Sequence, residues 1–294
     1  MNLLTELFSP DFLFRNTVWV SLLIGTIAPL AGVFLVLRRM AFLGVALPQI
    51  SACGIALAFS LEAWGFWDWV KPHSEGDERT LAFFTSMALT VAAVFILALL
   101  ERRGRGMVEA RLGAVYVIAG AASLLLLSRN PHGERGLIEL LKGEIIAVRD
   151  IDLWLTAGAL IGVLILLVLF HKEIMLVSYD RELAVVLRKN VGLWDGLLYL
   201  LIALTIAVSV LSAGPLVAFA FILLPPLIAH HLARNLLQWL VLSSLIGGAS
   251  ALTGFVVAYQ LDLPVGPTDV ALLGTLYLLV LAGHRLVRRL RHQT

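Results

Sequence analysis

The chain has 294 residues, of which 60% are hydrophobic and only 14% are charged, and its mean hydropathy is +0.94. Ordinary globular domains contain about 45–50% apolar and about 25% charged residues, so this composition excludes a water-soluble globular protein and a disordered chain. The 22 basic and 20 acidic residues nearly cancel, which excludes a nucleic-acid-binding surface, and the single cysteine, Cys53, excludes an internal disulfide.

Uncharged apolar runs follow one another along most of the chain, and a transmembrane helix needs about 20 such residues. The runs cover residues 16–37, 40–61, 80–100, 112–128, 153–170, 196–229 and 235–261, and a last one follows Asp269 and ends at Gly283. The run 196–229 is too long for one helix and contains Ser-Ala-Gly-Pro at 212–215, where we divide it. The sequence predicts an all-α integral membrane protein with nine spans, or eight if the short one after Pro215 does not cross fully, in a single domain over residues 1–294.

The basic residues predict the orientation of this bundle. Most of them lie in alternate connections, around residues 38–39, 102–111, 172–189, 234 and 285–291. Because lysine and arginine concentrate in cytoplasmic loops, we expect these connections in the cytoplasm, the N-terminus outside and the C-terminus inside if all nine spans cross. No cleavage site precedes the first span, so we expect an uncleaved anchor.

Several catalytic motifs are missing from the sequence. It contains no Gly-x-x-x-x-Gly-Lys-Ser/Thr loop, so the chain is not expected to hydrolyse ATP by the P-loop route. It also contains no His-Glu-x-x-His and no Gly-x-Ser-x-Gly, which argues against the common metalloproteases and serine hydrolases. Transporters, channels and scaffolding subunits remain.

The basic connection at 172–188 predicts a short helix. Ser178 or Asp180 can cap it, and Leu183, Val186 and Leu187 follow at a spacing that places them on one face. We expect the charges to point outward and the apolar side to face the bundle, a shape that suits docking to a soluble partner. An ordinary solvated loop helix is the alternative.

This connection resembles the coupling segment of the ABC-3 family, the permease subunits that import zinc, manganese and iron. The family reads roughly Ser-Phe-Asp-Pro-Glu-x-Ala, and residues 178–184 read Ser-Tyr-Asp-Arg-Glu-Leu-Ala. Four further stretches resemble family motifs in the same order, at residues 37–44, 141–148, 223–229 and 261–268. Arg181 replaces a usual proline and Arg188 a usual glycine.

The resemblance implies a function and partners. It implies a permease in a bacterial inner membrane whose substrate is a divalent metal ion, with no cofactor bound by this chain and ATP held by a separate cytosolic ATPase. The implied ATPase-coupling residues are Asp180, Arg181, Glu182 and Ala184. A periplasmic or surface metal-binding protein and a second permease, identical or related, complete the implied set of partners.

One stretch departs from the family where its metal path is implied. After the Leu-Gly that ends the motif at residues 37–44, the family continues Asp-Ala-Leu-Ser-His, whereas residues 45–49 here read Val-Ala-Leu-Pro-Gln. The carboxylate has become Val45 and the imidazole Gln49, and an uncharged site is a poor one for a divalent cation. The resemblance therefore implies the fold and the partner class more firmly than it implies the metal.

Polar and proline positions suggest a transport path. Gln49, Ser51 and Cys53 follow Pro48, which removes a backbone donor, and interrupted helices often mark substrate sites in transporters, which adds Pro225. Alternatively, Gln49 and Ser51 join helices by hydrogen bonds, and the two prolines at 225–226 mark a packing kink.

Two other features of the spans have alternative explanations. His230 and His231 lie near an inner end and are about 100° apart on a helix, so at most one faces the path. Asp269 begins the last span, where a helix cap explains a carboxylate, and no charge lies clearly at a span midpoint.

Two functional alternatives to an ABC importer stay open. One is an ATP-independent channel or secondary transporter, which a membrane-buried charge would favour. The other is a degenerate permease that serves as a structural partner of an intact subunit, which the change of both implied metal ligands favours.

Overall fold

The computed structural model describes residue 12 and residues 14–63, 75–103, 108–128 and 148–291, which form ten helices and no strands. The helices are α1 Arg15–Leu37, α2 Ala41–Ala63, α3 Glu75–Arg103, α4 Val108–Ser128, α5 Asp150–Leu169, α6 His171–Tyr179, α7 Arg181–Val186, α8 Val191–Leu232, α9 Leu236–Leu261 and α10 Val265–Arg291.

Eight of these helices are long and apolar enough to cross a membrane, all except α6 and α7. One of the eight, α8, has 42 residues and is broken at Gly214, whose φ of 81° and ψ of 163° are not helical. Glycine tolerates such a conformation because it has no Cβ, and Pro215 has the fixed φ that suits the first position of a new helix. The predicted all-α membrane fold and the division at residues 212–215 are confirmed.

The two halves of α8, residues 191–213 and 215–232, run in opposite directions. Asp195 is ion-paired with Arg38, just beyond the end of α1. In a straight helix Ile222 would lie about 40 Å from Asp195. Ile222 instead lies against Gly32, about 9 Å from Arg38 along α1. The chain therefore turns back at Gly214, which divides the described part of the chain into nine membrane-length segments.

The bundle has two chemically different ends. At the end that we call the basic end, Arg38 and Arg181 contact Asp195. At the opposite end Asn16 Nδ2 donates to Asp150 Oδ1 at 2.8 Å, and Phe14 packs edge-on against Tyr259. Aromatic side chains of this kind are enriched where a membrane meets water. The positive-inside rule predicts that the basic end faces the cytoplasm.

The core lies where α1, α2 and α8 pack together. In each of these helices 67% of the most apolar 18-residue stretch is buried inside the protein, whereas the corresponding share is only 22% in α4, α5 and α10. The latter three helices expose long apolar side chains such as Val117, Ile165 and Leu278, as expected for a surface solvated by lipid. The outer helices thus surround a central layer that carries most of the polar positions singled out above.

The closest helix contact in this layer joins α1 to the second half of α8. A Cβ atom on Gly32 would overlap the carbonyl oxygen of Ile222 and would lie 3.0 Å from Pro226 Cγ. Pro226 has no N–H to bond that carbonyl, four residues earlier. The small residue therefore lets one backbone approach an acceptor that the proline has freed, as small residues do between membrane helices.

This contact predicts a strong effect of one methyl group. We expect Gly32→Ala to destabilise the protein by about 1–3 kcal/mol, because the added carbon meets backbone and not a movable side chain. The measurement is thermal unfolding of the purified protein in mild detergent. Gly162→Ala is the matched control, since a Cβ at Gly162 meets nothing within 4 Å. Equal unfolding temperatures for the two variants would contradict the packing described here.

Candidate functional site

The predicted path residues on α2 lie on two different faces of the helix. Val45, Gln49 and Cys53 follow at intervals of four residues and form one stripe, and all three are partly exposed. The Gln49 side chain lies over α4, where a Cβ on Gly120 would be 3.2 Å from its Nε2. This stripe is an accessible strip on a mostly buried helix, with an amide near its centre.

Ser51 points away from that stripe. Its hydroxyl is fully buried and lies 2.7 Å from the hydroxyl of Ser86 on α3, where either oxygen can donate. Next to it, a Cβ on Gly54 would lie 2.6 Å from Ser86 Cα. Ser51 therefore joins two closely packed helices by a hydrogen bond, which is the alternative that the sequence left open for it.

The two prolines of α8 lie in its second half and are both buried. The Pro226 carbonyl accepts a hydrogen bond from Trp239 Nε1 at 2.8 Å, and its ring packs near Gly32. These contacts indicate that Pro226 serves helix packing. Pro225 also lacks an N–H, so it leaves a second carbonyl in the same turn, that of Phe221, without its helical hydrogen bond.

The two adjacent histidines have different surroundings, as the helix geometry predicts. The exposed His230 ring lies 4.7 Å from the Trp239 ring, and the partly buried His231 uses Nδ1 against the Leu227 carbonyl at 2.8 Å. His284 of α10 comes within 5.4 Å of His231, ring to ring. Within the described ranges no group of three or more His, Cys, Asp or Glu side chains could hold a metal ion.

Asp269 is not the helix cap that the sequence suggested. Helix α10 begins at Val265, so Asp269 lies in its second turn, inside a membrane-length segment. Its side chain is fully buried, and neither carboxylate oxygen has a hydrogen-bond partner among the residues that the structure describes. Gly254 of α9 leaves room for it, because a Cβ there would overlap Asp269 Oδ1. A buried intramembrane carboxylate of this kind is a candidate functional group.

The connection at the basic end forms two short helices, α6 and α7. The Asp180 carboxylate accepts a hydrogen bond from the Leu183 amide at 2.9 Å and caps α7, which confirms one of the two predicted caps. Ser178, the other, is instead a partner of Arg38. Ala184 is fully buried and seats α7 on the bundle, while Arg181 and Glu182 are exposed.

The predicted orientation of α7 is wrong. The apolar face was expected against the bundle, but the exposed fractions are 45% for Leu183, 76% for Val186 and 55% for Leu187. The small Ala184 makes the inward contact because only a short side chain lets such a short helix lie close to the bundle. We define the docking patch as the exposed apolar side chains of this connection, Tyr179, Leu183, Val185, Val186 and Leu187.

A buried ion pair fixes this connection to the rest of the bundle. Arg38 Nη1 donates to Asp195 Oδ1 at 2.7 Å, and the two side chains are only 10% and 9% exposed. The same guanidinium donates to Ser178 Oγ from Nε at 3.0 Å and from Nη2 at 2.8 Å. Arg181 Nη2 lies 3.0 Å from the other carboxylate oxygen of Asp195.

Sequence reasoning did not identify Asp195. The signal was present, because Asp195 is the only acidic residue of α8 and begins its apolar run beside the basic connections. A carboxylate in that position needs a cationic partner when it is buried. Which arginine it would meet depends on how α1, α7 and α8 pack, and no spacing in the sequence specifies that packing.

Comparison with known proteins identifies the family to which this fold belongs. The family model described as the ABC 3 transport family matches residues 10–284. The chain belongs to the ABC 3 transport family. The membership predicted from the collinear motifs is therefore confirmed. One of those motifs, at residues 141–148, lies almost entirely outside the described residues.

The similarity to individual relatives covers most of the chain. This chain is 26% identical over 263 residues to the manganese import system permease protein ScaB of Streptococcus gordonii, covering 88% of this chain and 87% of that protein. It is 29% identical over 269 residues to the manganese transport system membrane protein MntD of Bacillus subtilis, covering 87% and 86%. The solved structure of PsaBC from Streptococcus pneumoniae in complex with Fab has a TM-score of 0.78 at 22% identity, with 95% of each chain covered, and it supports the fold alone.

The structure also explains one departure from the family's coupling segment. Arg188, where a glycine is usual, has a φ of 54°, and the amide of Lys189 bonds back to the Ala184 carbonyl at 3.0 Å. A residue just past a helix end commonly adopts this left-handed conformation, which glycine favours. The arginine in this ABC 3 transport family member keeps the turn that glycine would make, at a cost of roughly 1 kcal/mol.

The buried carboxylate of α10 gives a testable prediction. We expect Asp269→Asn to raise the unfolding temperature of the purified protein by the equivalent of about 1–3 kcal/mol, because the amide keeps the shape and has no charge that must be buried or neutralised on folding. Thermal unfolding in detergent measures it, and Asp262→Asn, at an exposed turn position, is the control that should change little. A lower unfolding temperature for Asp269→Asn would show that the carboxylate makes a stabilising interaction.

Proposed function

We propose that this chain is the permease subunit of an ABC importer and that a separate cytosolic ATPase docks on the docking patch. The patch carries the proposal. Charged residues flank it along the chain, with Lys172 and Glu173 before it and Arg188 and Lys189 after it, which argues that the patch lies in water and not in lipid. Exposed apolar side chains in water, rimmed by charge, are typical of a surface that a partner covers.

The proposed substrate is a divalent metal ion of the manganese class. The support comes from the relatives, one named as a manganese import permease and one as a manganese transport system membrane protein. By analogy, an extracellular or periplasmic binding protein delivers the ion, and a second permease, identical or related, completes the pore in the bacterial inner membrane. The chain itself serves as one transmembrane unit, without catalytic residues and without a bound cofactor.

The proposed path follows the Val45–Gln49–Cys53 stripe and the helical segment around Pro225 in the second half of α8. The stripe supports this because it is partly exposed on a helix that is otherwise buried. Asp180, Arg181, Glu182 and Ala184 are the proposed coupling residues, in the roles of cap, bridge, exposed charge and inward contact. ATP-driven closure of the ATPase pair would displace α7 and change access to the path.

Two observations favour other functions. Val45 and Gln49 offer no anionic or imidazole ligand on the stripe, which favours a structural subunit that supports an intact permease. The buried Asp269 carboxyl is an intramembrane titratable group of the kind that a channel or secondary transporter independent of ATP would use. The experiments below distinguish these alternatives from the permease of an ABC importer.

The first experiment tests the partner. We expect a cytosolic protein with a P-loop motif, identified by mass spectrometry, to co-purify stoichiometrically with this chain in mild detergent. Val186→Asp and Glu182→Lys should each reduce that capture by about tenfold or more, since a charge in a desolvated contact costs several kcal/mol.

The control for this experiment is Glu109→Lys, the same charge reversal at an exposed residue of the basic end outside the connection. It should leave the capture unchanged. Absence of an ATPase with the unaltered protein would contradict the ABC importer and favour the ATP-independent transporter.

The second experiment tests the path. We expect Gln49→Ala to abolish Mn²⁺ uptake by the reconstituted complex, because the stripe then has no polar side chain at its centre. The matched control is Gln260→Ala, at an exposed residue next to the last residue of α9, and this variant should transport normally. Unchanged uptake with Gln49→Ala would remove Gln49 from the path.

A paired variant tests the structural-subunit alternative. Val45→Asp with Gln49→His places a carboxylate and an imidazole four residues apart on one helix face, a spacing at which both can reach one metal ion. If the unaltered complex does not import Mn²⁺ and this variant does, the chain is a degenerate subunit. If both import it, the amide stripe suffices and the permease proposal is supported.

A further inference from the structure

We infer that Asp195 is the positioning residue that connects the docking helix α7 to the start of α2, through Arg181 on one side and Arg38 on the other. The inference rests on the proposed function, because it explains how docking of an ATPase could reach the transport path. It is supported by the division of one carboxylate between two arginines, with Oδ1 on Arg38 at 2.7 Å and Oδ2 on Arg181 at 3.0 Å.

We call the Arg38–Asp195–Arg181 arrangement the bridge, and its two ion pairs the Arg38 arm and the Arg181 arm. The two arms differ in strength because they differ in burial. Arg38 and Asp195 are 10% and 9% exposed, whereas the Arg181 side chain is 62% exposed. Loss of a partner from a buried pair leaves an uncompensated charge, which is strongly destabilising. An exposed pair contributes little to stability. The Arg38 arm is therefore permanent, and the Arg181 arm can break and re-form as α7 moves.

The permanent arm acts on a short turn. Arg38 follows the last residue of α1, Arg39 has a left-handed φ of 57°, and α2 begins at Ala41. With so few residues between the helices, the position of Arg38 sets where α2 begins. Gln49 lies eight residues along α2, about 12 Å from its start.

A second residue of α8, Tyr199, also contacts the turn between α1 and α2. Tyr199 lies one helical turn after Asp195, on the same face. Its ring centroid is 5.6 Å from Arg38 Cζ, and its hydroxyl donates to Met40 Sδ at 3.4 Å. The first three turns of α8 therefore hold both ends of the α1–α2 turn, and a displacement of α7 that pulls Asp195 displaces this turn as well.

The variant that tests the bridge is Arg181→Gln. It removes only the exposed arm and leaves the buried pair intact, so the protein is expected to fold. Arg188→Gln is the matched control, because it removes the same charge from the same connection at an exposed residue whose φ of 54° places it at the end of α7. General electrostatic effects on ATPase docking are then equal in the two variants.

The first readout is transport for each ATP hydrolysed in the reconstituted complex, using Mn²⁺ as the probe and normalising to the amount of ATPase captured. We expect Arg181→Gln to lower this ratio about five- to tenfold relative to Arg188→Gln, within the usual range of coupling between two sites. Equal ratios for the two variants would overturn the inference and leave the proposed function standing.

The second readout needs no ATPase and therefore separates the two failures. Hydrogen exchange of the backbone amides at residues 38–43 in the permease alone should be about two- to fivefold faster in Arg181→Gln, as expected when an ion pair of this exposure is lost. Arg188→Gln should leave it unchanged. Unchanged exchange in Arg181→Gln would show that α7 is not connected to the turn, whatever drives transport.

Discussion

Lipid cannot form hydrogen bonds, and the rest of this structure depends on that constraint. Every backbone polar group inside the membrane needs a partner within the protein, which explains the eight membrane-length helices of the described residues. Lipid also removes most of the hydrophobic drive between helices, so attraction must come from close contact. At Gly32 the backbone of α1 reaches the carbonyl of Ile222 that Pro226 leaves free, and one contact thereby serves both requirements.

The same constraint governs the charges. Apart from Asp269, the charged side chains discussed above lie at the ends of the bundle, where water or an opposite charge is available. At the basic end Asp195 satisfies two arginines, so a single carboxylate joins α7 and α8 to the end of α1, which lies 157 residues earlier in the chain. A polar network that is buried in this way is rigid where it is enclosed and labile where it meets water.

The sequence predicted the elements of this fold better than their contacts. Hydropathy located the spans, and the Ser-Ala-Gly-Pro stretch at 212–215 located the break in α8, because span length and turn chemistry are local properties. The inward face of α7 was predicted wrongly, since periodicity identifies an apolar face but does not tell whether the bundle or a partner covers it. The surroundings of Asp195 and Asp269 depend on how helices pack, with Arg38 against the first and Gly254 against the second, and no local pattern specifies such contacts.

The orientation of α7 connects fold to function most directly. A six-residue helix is too short to be stable alone, so the Asp180 cap and the buried Ala184 hold its shape, and the Arg181–Asp195 ion pair ties it to α8. Those three contacts all lie on the inward or amino-terminal side. They leave Leu183, Val186 and Leu187 exposed to water, an arrangement that a protein without a partner for this surface would gain nothing by keeping. The docking patch is thus the outward consequence of the same contacts that hold the connection to the bundle.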